Sequence, residues 1–258
     1  MRFTPITTAI LAVALFPAAA AGQDFKWSGR LSPGQTLEVR GINGKISAMP
    51  AAGDLIEVVA EKSGRRSDPD EVEIRVVEHR GGVTICAVYP SPPDREPNGC
   101  APGGSRNSTR DNDVKVDFTV RVPAGIRLVA ATVNGNVSAE GLRGDVESTT
   151  VNGSIHVTAT GLVRARTVNG SIEVELGRTD WQGDLSFETV NGAITVALPG
   201  DLHTELRAET LNGSITADFP ITISGRIARN RIHGTIGDGG RTLRLRTVNG
   251  GIRLRKVS

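Results

Sequence analysis

Along the second half of the chain, small or apolar residues alternate with charged ones, and one tetrapeptide interrupts the alternation again and again. One phase reads Leu128, Ala130, Thr132; Val146, Ser148, Thr150; Val163, Ala165, Thr167; Leu185, Phe187, Thr189; Leu206, Ala208, Thr210; and Leu243, Leu245, Thr247. The other phase holds Glu147, Arg164, Arg166, Glu188, Arg207, Glu209, Arg244 and Arg246. A period of two is the mark of a half-buried β-strand. Thr-Val-Asn-Gly follows at Thr132, Thr150, Thr167, Thr189 and Thr247, with Thr-Leu-Asn-Gly at Thr210 and an altered copy, Arg-Ile-His-Gly, at Arg231. Beyond each corner the alternation resumes through Ile155 and Val157, Ile172 and Val174, Ile194 and Val196, and Ile252 and Leu254. Each copy therefore predicts strand, corner, strand.

Asn-Gly between two alternating strands is also a strong hairpin signal, since both residues tolerate positive φ. A hairpin, however, gives no reason for the same Thr and Val to precede the turn each time. Stacking corner on corner does, because it sets identical side chains in register ~4.8 Å apart. The chain is thus expected to be all-β, a parallel β-solenoid in which Val and Ile form internal ladders and Asn134, Asn152, Asn169, Asn191, Asn212 and Asn249 bond from coil to coil as structural corners. The corner glycines are spaced by 18, 17, 22, 21, 21 and 16 residues, so the corner recurs while the connections vary. In register, Glu147 is expected opposite Arg164, and Arg166 opposite Glu188.

Ahead of this array the pattern is strand-like but irregular, with segments at 36–39, 55–60, 72–77, 83–89 and 114–122. Gly41-Ile42-Asn43-Gly44-Lys45-Ile46 carries the Asn-Gly and the following Ile of the later corners. Two readings stay open: an array that begins at 126, or one that begins near 36 and is interrupted. The interruption centres on 91–113, rich in Pro, Gly, Ser, Asn and charge, and reads as a surface loop. The expected divisions are a leader at 1–22, an N-terminal β region at 23–125 and the repeats at 126–258.

An export leader is expected from Arg2, the apolar run 9–16 and the small residues 18–22, with cleavage between Ala20 and Gly22. No other stretch approaches the ~20 apolar residues of a membrane-spanning helix, and no Cys follows the leader to carry a lipid. Cys86 and Cys100, an even pair in an exported chain, are expected to form a disulfide that closes the loop. A two-cysteine metal site lacks partners, His79 being the only histidine nearby, and no cofactor is implied. A net charge of +2 points to no nucleic-acid partner, and 3% aromatic residues suit stacked aliphatic strands better than a core built on large rings.

Through the Thr-Val-Asn-Gly-x-Ile corners and the segments 83–89 and 116–123, the chain resembles the bacterial β-strand-repeat family labelled "putative adhesin". That resemblance implies an exported β-solenoid of uncharacterised role, and it brings no catalytic residues to carry over. Arg231-Ile232-His233-Gly234 departs from the pattern, which marks a rung that is broken or used differently.

Chemistry is sparse. His79, His156, His203 and His233 sit at unrelated offsets, with no triad order and no metal spacing. Glu173 and Glu175, with His156 one coil away, are the candidates under an alternative reading as a polysaccharide-active solenoid lyase or hydrolase. The triplet 111–113 lacks the spacing of a calcium loop. Four glycosylation sequons of Asn-Gly or Asn-Ser type (Asn107, Asn152, Asn169, Asn212) include three at corners meant to stack, which favours a bacterial exporter. From Arg226 onward nine basic residues face a single acid, Asp238. Arg244, Arg246, Arg253 and Arg255 are expected to point outward. They serve either to protect an open solenoid end or to bind an anionic envelope polymer or glycan. The functional expectation is a periplasmic or extracellular, non-enzymatic scaffold or adhesin-like surface-binding module.

Overall fold

The computed structural model describes residues 20–21, 25–104, 107–181, 183–223 and 228–257. Apart from Ala20–Ala21, the expected leader lies outside the described residues, as does Arg226. The chain is all-β; among the described residues there is a single 3₁₀ turn, at Pro69–Glu71, and no helix long and apolar enough to cross a membrane.

Two sheets of mainly parallel strands enclose one aliphatic core. The first runs Lys115–Val122, Ile46–Pro50, Val137–Leu142, Ile155–Ala159, Ile172–Leu176, Ile194–Pro199, Ile252–Val257, Ile215–Ala217. The second runs Gly82–Val88, Thr36–Arg40, Arg127–Ala131, Val146–Thr149, Val163–Arg166, Leu185–Glu188, Thr242–Asn249, Thr204–Asn212. Alternation reads directly as burial: Ile155, Ile172, Ile194 and Ile252 lie over one another in the interior, as do Val157, Val174, Val196 and Leu254. Burying such side chains contributes roughly 1.5–3 kcal/mol each, so these ladders supply most of the stability.

The corners explain the tetrapeptide residue by residue. Asparagine amides form one continuous ladder in the order Asn43, Asn134, Asn152, Asn169, Asn191, Asn249, Asn212, each Nδ2 donating to the preceding Oδ1 at 2.7–2.8 Å. Each threonine hydroxyl is buried and donates to the corner glycine carbonyl of the coil before it in the stack, Thr150 to Gly135, Thr167 to Gly153 and Thr189 to Gly170, all at 2.9 Å. Glycine is required because a Cβ at Gly153, Gly170 or Gly192 would stand 2.0 Å from the carbonyl oxygen of the neighbouring corner. The valine faces out beside the asparagine: Val133, Val151, Val168 and Val190 are 36–38% exposed.

Three features depart from a simple march along the chain. Asn43 heads the ladder, in register with Asn134, so the coil at 36–50 stacks directly on the repeats. At that end the ladder closes on Asn43 Nδ2 donating to the Val114 carbonyl at 3.4 Å, beside the buried Tyr89 hydroxyl, which donates to the same oxygen at 2.9 Å. At the other end, the last coil in sequence lies between its two predecessors: Leu185–Glu188 pairs with Thr242–Asn249, which in turn pairs with Thr204–Asn212. The altered copy at Arg231 is not a corner. Arg231–Ile236 is an antiparallel strand on the outer edge of Thr204–Asn212. Antiparallel strands likewise close the opposite ends, Glu73–His79 on Gly82–Val88 and Ile56–Gly64 on Lys115–Val122. Each such strand takes up the ladder hydrogen bonds of the strand it covers.

These contacts predict a sharp contrast in urea unfolding. Ile172→Ala, in the inner ladder, should cost about 2–5 kcal/mol, whereas Val168→Ala, one corner residue away on the outside, should change stability by about 0.5 kcal/mol or less. Gly170→Ala should be destabilising despite its small size, because the added methyl meets the Gly153 carbonyl. Equal effects of Ile172→Ala and Val168→Ala would contradict the inner ladder.

Candidate functional site

Because strand alternation sends every second side chain outward, each sheet carries rows of like-placed residues running across the strands. On the second sheet one row reads Arg164, Ser186, Arg244, Arg207, His233, each in register with the next. The row beside it reads Arg166, Glu188, Arg246, Glu209, Arg231. The second row alternates in sign and holds the Arg231–Glu209 ion pair. From Arg164 to His233 the first contains no acid, Glu147 standing on the other side of Arg164, and among the described residues Arg164, Arg207 and Arg244 make no ion pair. Arg207, Arg231, His233, Arg244 and Arg246, together with Glu209, line a shallow groove of about 320 Å³ across this end of the sheet.

The four arginines singled out in the sequence all point outward, yet they do not share a surface. Arg244 and Arg246 lie on the outer face of the second sheet, whereas Arg253 and Arg255, beyond the corner at Asn249, lie on the outer face of the first. The partners that join Arg244 are Arg207 and, across Ser186, Arg164. Sequence order hides them, because the coil carrying Arg244 is inserted between coils that are consecutive in the chain. Glu147 and Arg164 are opposite each other, as are Arg166 and Glu188, but the ion pair of Glu147 is with Arg127, at 2.5 Å.

The same face is closed at its far end. Cys86 and Cys100 are joined by a disulfide that draws the loop over Gly82–Val88, a strand buried along its whole length. Beneath the loop Glu38, 4% exposed, accepts from the Gly103 amide at 3.0 Å and the Thr84 hydroxyl at 2.8 Å, and pairs with Arg40. Burial alone would raise its pKa, but the Gly103 amide, the Thr84 hydroxyl and the Arg40 guanidinium outweigh it and hold the carboxyl below the usual carboxylate range. The strapped loop thus covers the N-terminal end of the face, and the arginine rows occupy the uncovered end.

The outer face of the first sheet bears the other candidates. His156 stands opposite Glu173, Nδ1 3.6 Å from Oε2, and Glu175 follows two residues on beside Thr158 and Ala197. All three are exposed on a flat sheet. His79 contacts Thr84, and His203 Nδ1 accepts from the Asp238 amide. Residues 111–113 lie in neither strand nor helix, the Asp113 carboxylate accepting from the Arg66 and Ser67 amides. Among the described residues no three His, Cys, Asp or Glu side chains converge as a metal site.

Comparison with known proteins places this architecture. The Toastrack DUF4097 family matches residues 108–255, more than half of the chain. The chain belongs to this family. The Toastrack match begins within the loop, although the stack itself continues one coil further, to Asn43. A crystal structure of a "putative cell adhesion protein" from Clostridium sporogenes ATCC 15579 is similar in fold, with a TM-score of 0.54 at 12% identity over 91% of this chain and 100% of that one. A "putative adhesin" from Bacteroides fragilis NCTC 9343 aligns at a TM-score of 0.35 and 9% identity, over 91% of this chain and 97% of that one. No curated protein matches the Toastrack chain in sequence.

Glu38 makes a prediction about acid. Its folded-state pKa is depressed, so its contribution is present above the unfolded value of about 4.3 and is lost as pH falls through the folded value. Glu38→Gln should lower stability at neutral pH and flatten the fall in melting temperature below that point. An unaltered acid profile in the variant would show that the carboxylate does not hold the loop.

Proposed function

We propose that this Toastrack protein is an exported, non-enzymatic, adhesin-like module of the bacterial envelope, which docks an anionic polymer on the outer face of its second sheet. The observation that carries the proposal is the segment Arg164, Ser186, Arg244, Arg207, which holds no acid and lies on the exposed sheet end beyond Glu147. Guanidinium groups one or two strand repeats of ~4.8 Å apart suit a chain of carboxylates or phosphodiesters, to which Arg donates in planar, bidentate fashion. No single rung needs to bind tightly, since neighbouring contacts on one polymer add through effective concentration. The leader reading and the disulfide support export, as disulfides persist in oxidising compartments. The adhesion name given to the similarly folded Clostridium sporogenes protein points the same way.

Retention on immobilised polygalacturonate and on poly(glycerol phosphate), with neutral dextran as reference, tests this reading. The protein should be retained on the anionic polymers and released as salt rises. Arg207→Gln combined with Arg244→Gln should weaken retention about two- to thirtyfold, from ~0.2–1 kcal/mol per exposed contact. Arg253→Gln with Arg255→Gln, on the opposite face, should leave it unchanged. Equal loss from both pairs, or retention on dextran, would overturn the assignment.

A further inference from the structure

The Asn-Gly dipeptide that builds the corners is also the sequence most prone to self-modification, because the glycine amide can attack the asparagine side chain with no Cβ in the way. Eight such dipeptides occur, at Asn43, Asn98, Asn134, Asn152, Asn169, Asn191, Asn212 and Asn249. Attack requires the glycine nitrogen to give up its proton and the asparagine Cγ to swing onto it.

At six ladder positions the stack opposes both movements. The following glycine N–H donates to the next asparagine carbonyl: Gly44 to Asn134, Gly135 to Asn152, Gly153 to Asn169, Gly170 to Asn191, Gly192 to Asn249 and Gly250 to Asn212, at 2.9–3.1 Å. The side-chain amide of each is held from both sides, Nδ2 donating and Oδ1 accepting. Asn98, off the ladder, is buried with Nδ2 donating to the Tyr89 and Ser108 carbonyls and Oδ1 accepting from the Ser108 amide.

Asn212 is different because the ladder ends there. Its Nδ2 donates to Asn249 Oδ1, but among the described residues nothing donates to its own Oδ1, and the Gly213 N–H has no acceptor. Residues 211–214 are exposed, with Leu211 at 66%. We infer that Asn212 is a self-modification site, the one corner asparagine that the fold leaves free to deamidate. The Gly213 nitrogen bonds to Asn212 Cγ, and the Cγ–Nδ2 bond breaks. Nδ2 leaves as ammonia, taking up the proton lost from Gly213. Water then opens the succinimide to aspartate or isoaspartate. The product carries a carboxylate and can no longer donate to Asn249, so the terminal coil, which also bears Arg207, loses its rung of the asparagine ladder and keeps the Thr210 hydroxyl bond to the Gly250 carbonyl.

The chain supplies its own controls, since trypsin places each of the eight dipeptides in a separate peptide. Intact protein, incubated in mildly alkaline buffer below its unfolding temperature, is digested and analysed by mass spectrometry, beside a sample incubated in denaturing urea. In urea all eight sites should convert at comparable rates. In the folded protein, Asn212 should convert at a rate close to its unfolded one, while the other seven slow by on the order of tenfold or more, the cost of breaking at least two further hydrogen bonds. Conversion of Asn191 or Asn249 as fast as Asn212, or protection of Asn212 equal to theirs, would overturn the inference.

Discussion

Everything in this molecule depends on how closely one corner lies over the next. The carbonyl oxygen of each corner glycine occupies the place where a Cβ of the following coil would stand, and the buried threonine hydroxyl donates to that oxygen. Close approach therefore demands glycine, a buried hydroxyl with one acceptor demands threonine, and an amide that can donate and accept at once demands asparagine. Together these bonds set the register, and the register puts Ile over Ile and Val over Val in the interior. The polar corner specifies the stack; the apolar ladders stabilise it.

This division explains how much of the fold was legible in the sequence. Alternation and a recurring tetrapeptide were enough for a parallel solenoid, for inward and outward positions and for the asparagine ladder, because each follows from local geometry. Stacking order was not legible, since identical tetrapeptides carry no address: Val-Asn-Gly at 248 fits over 190 as well as Leu-Asn-Gly at 211 would. The final coil lies inside its predecessor because Thr204–Asn212 pairs on its far side with the antiparallel strand Arg231–Ile236, a partner that no corner motif announces. The early corner at Asn43 was visible only in part, as Gly41 stands where the others have Thr and the Tyr89 hydroxyl occupies the position beneath it.

The candidate surface follows from the same inversion. Arg207 and Arg244 are far apart in sequence and adjacent in space, whereas Arg244 and Arg253 are near in sequence and separated by a corner. A charge count along the chain finds a basic end; only the register separates it into two faces and shows which of them gathers further arginines. The loop tied by Cys86–Cys100 adds to this asymmetry by covering one end of the second sheet and leaving the other open.

Cross-linking at the exposed corner valines tests the stack most directly. Cysteines at 190 and 248 would lie one coil apart, about 4.8 Å, within the Cα separation a disulfide spans, about 4.4–6.8 Å. Cysteines at 190 and 211, in copies consecutive along the chain, would be two coils apart. Under mild oxidation the account predicts an intramolecular bond for Val190→Cys with Val248→Cys and none for Val190→Cys with Leu211→Cys. The opposite outcome would mean that the coils stack in chain order, and a bond in neither would contradict the one-over-one corner itself.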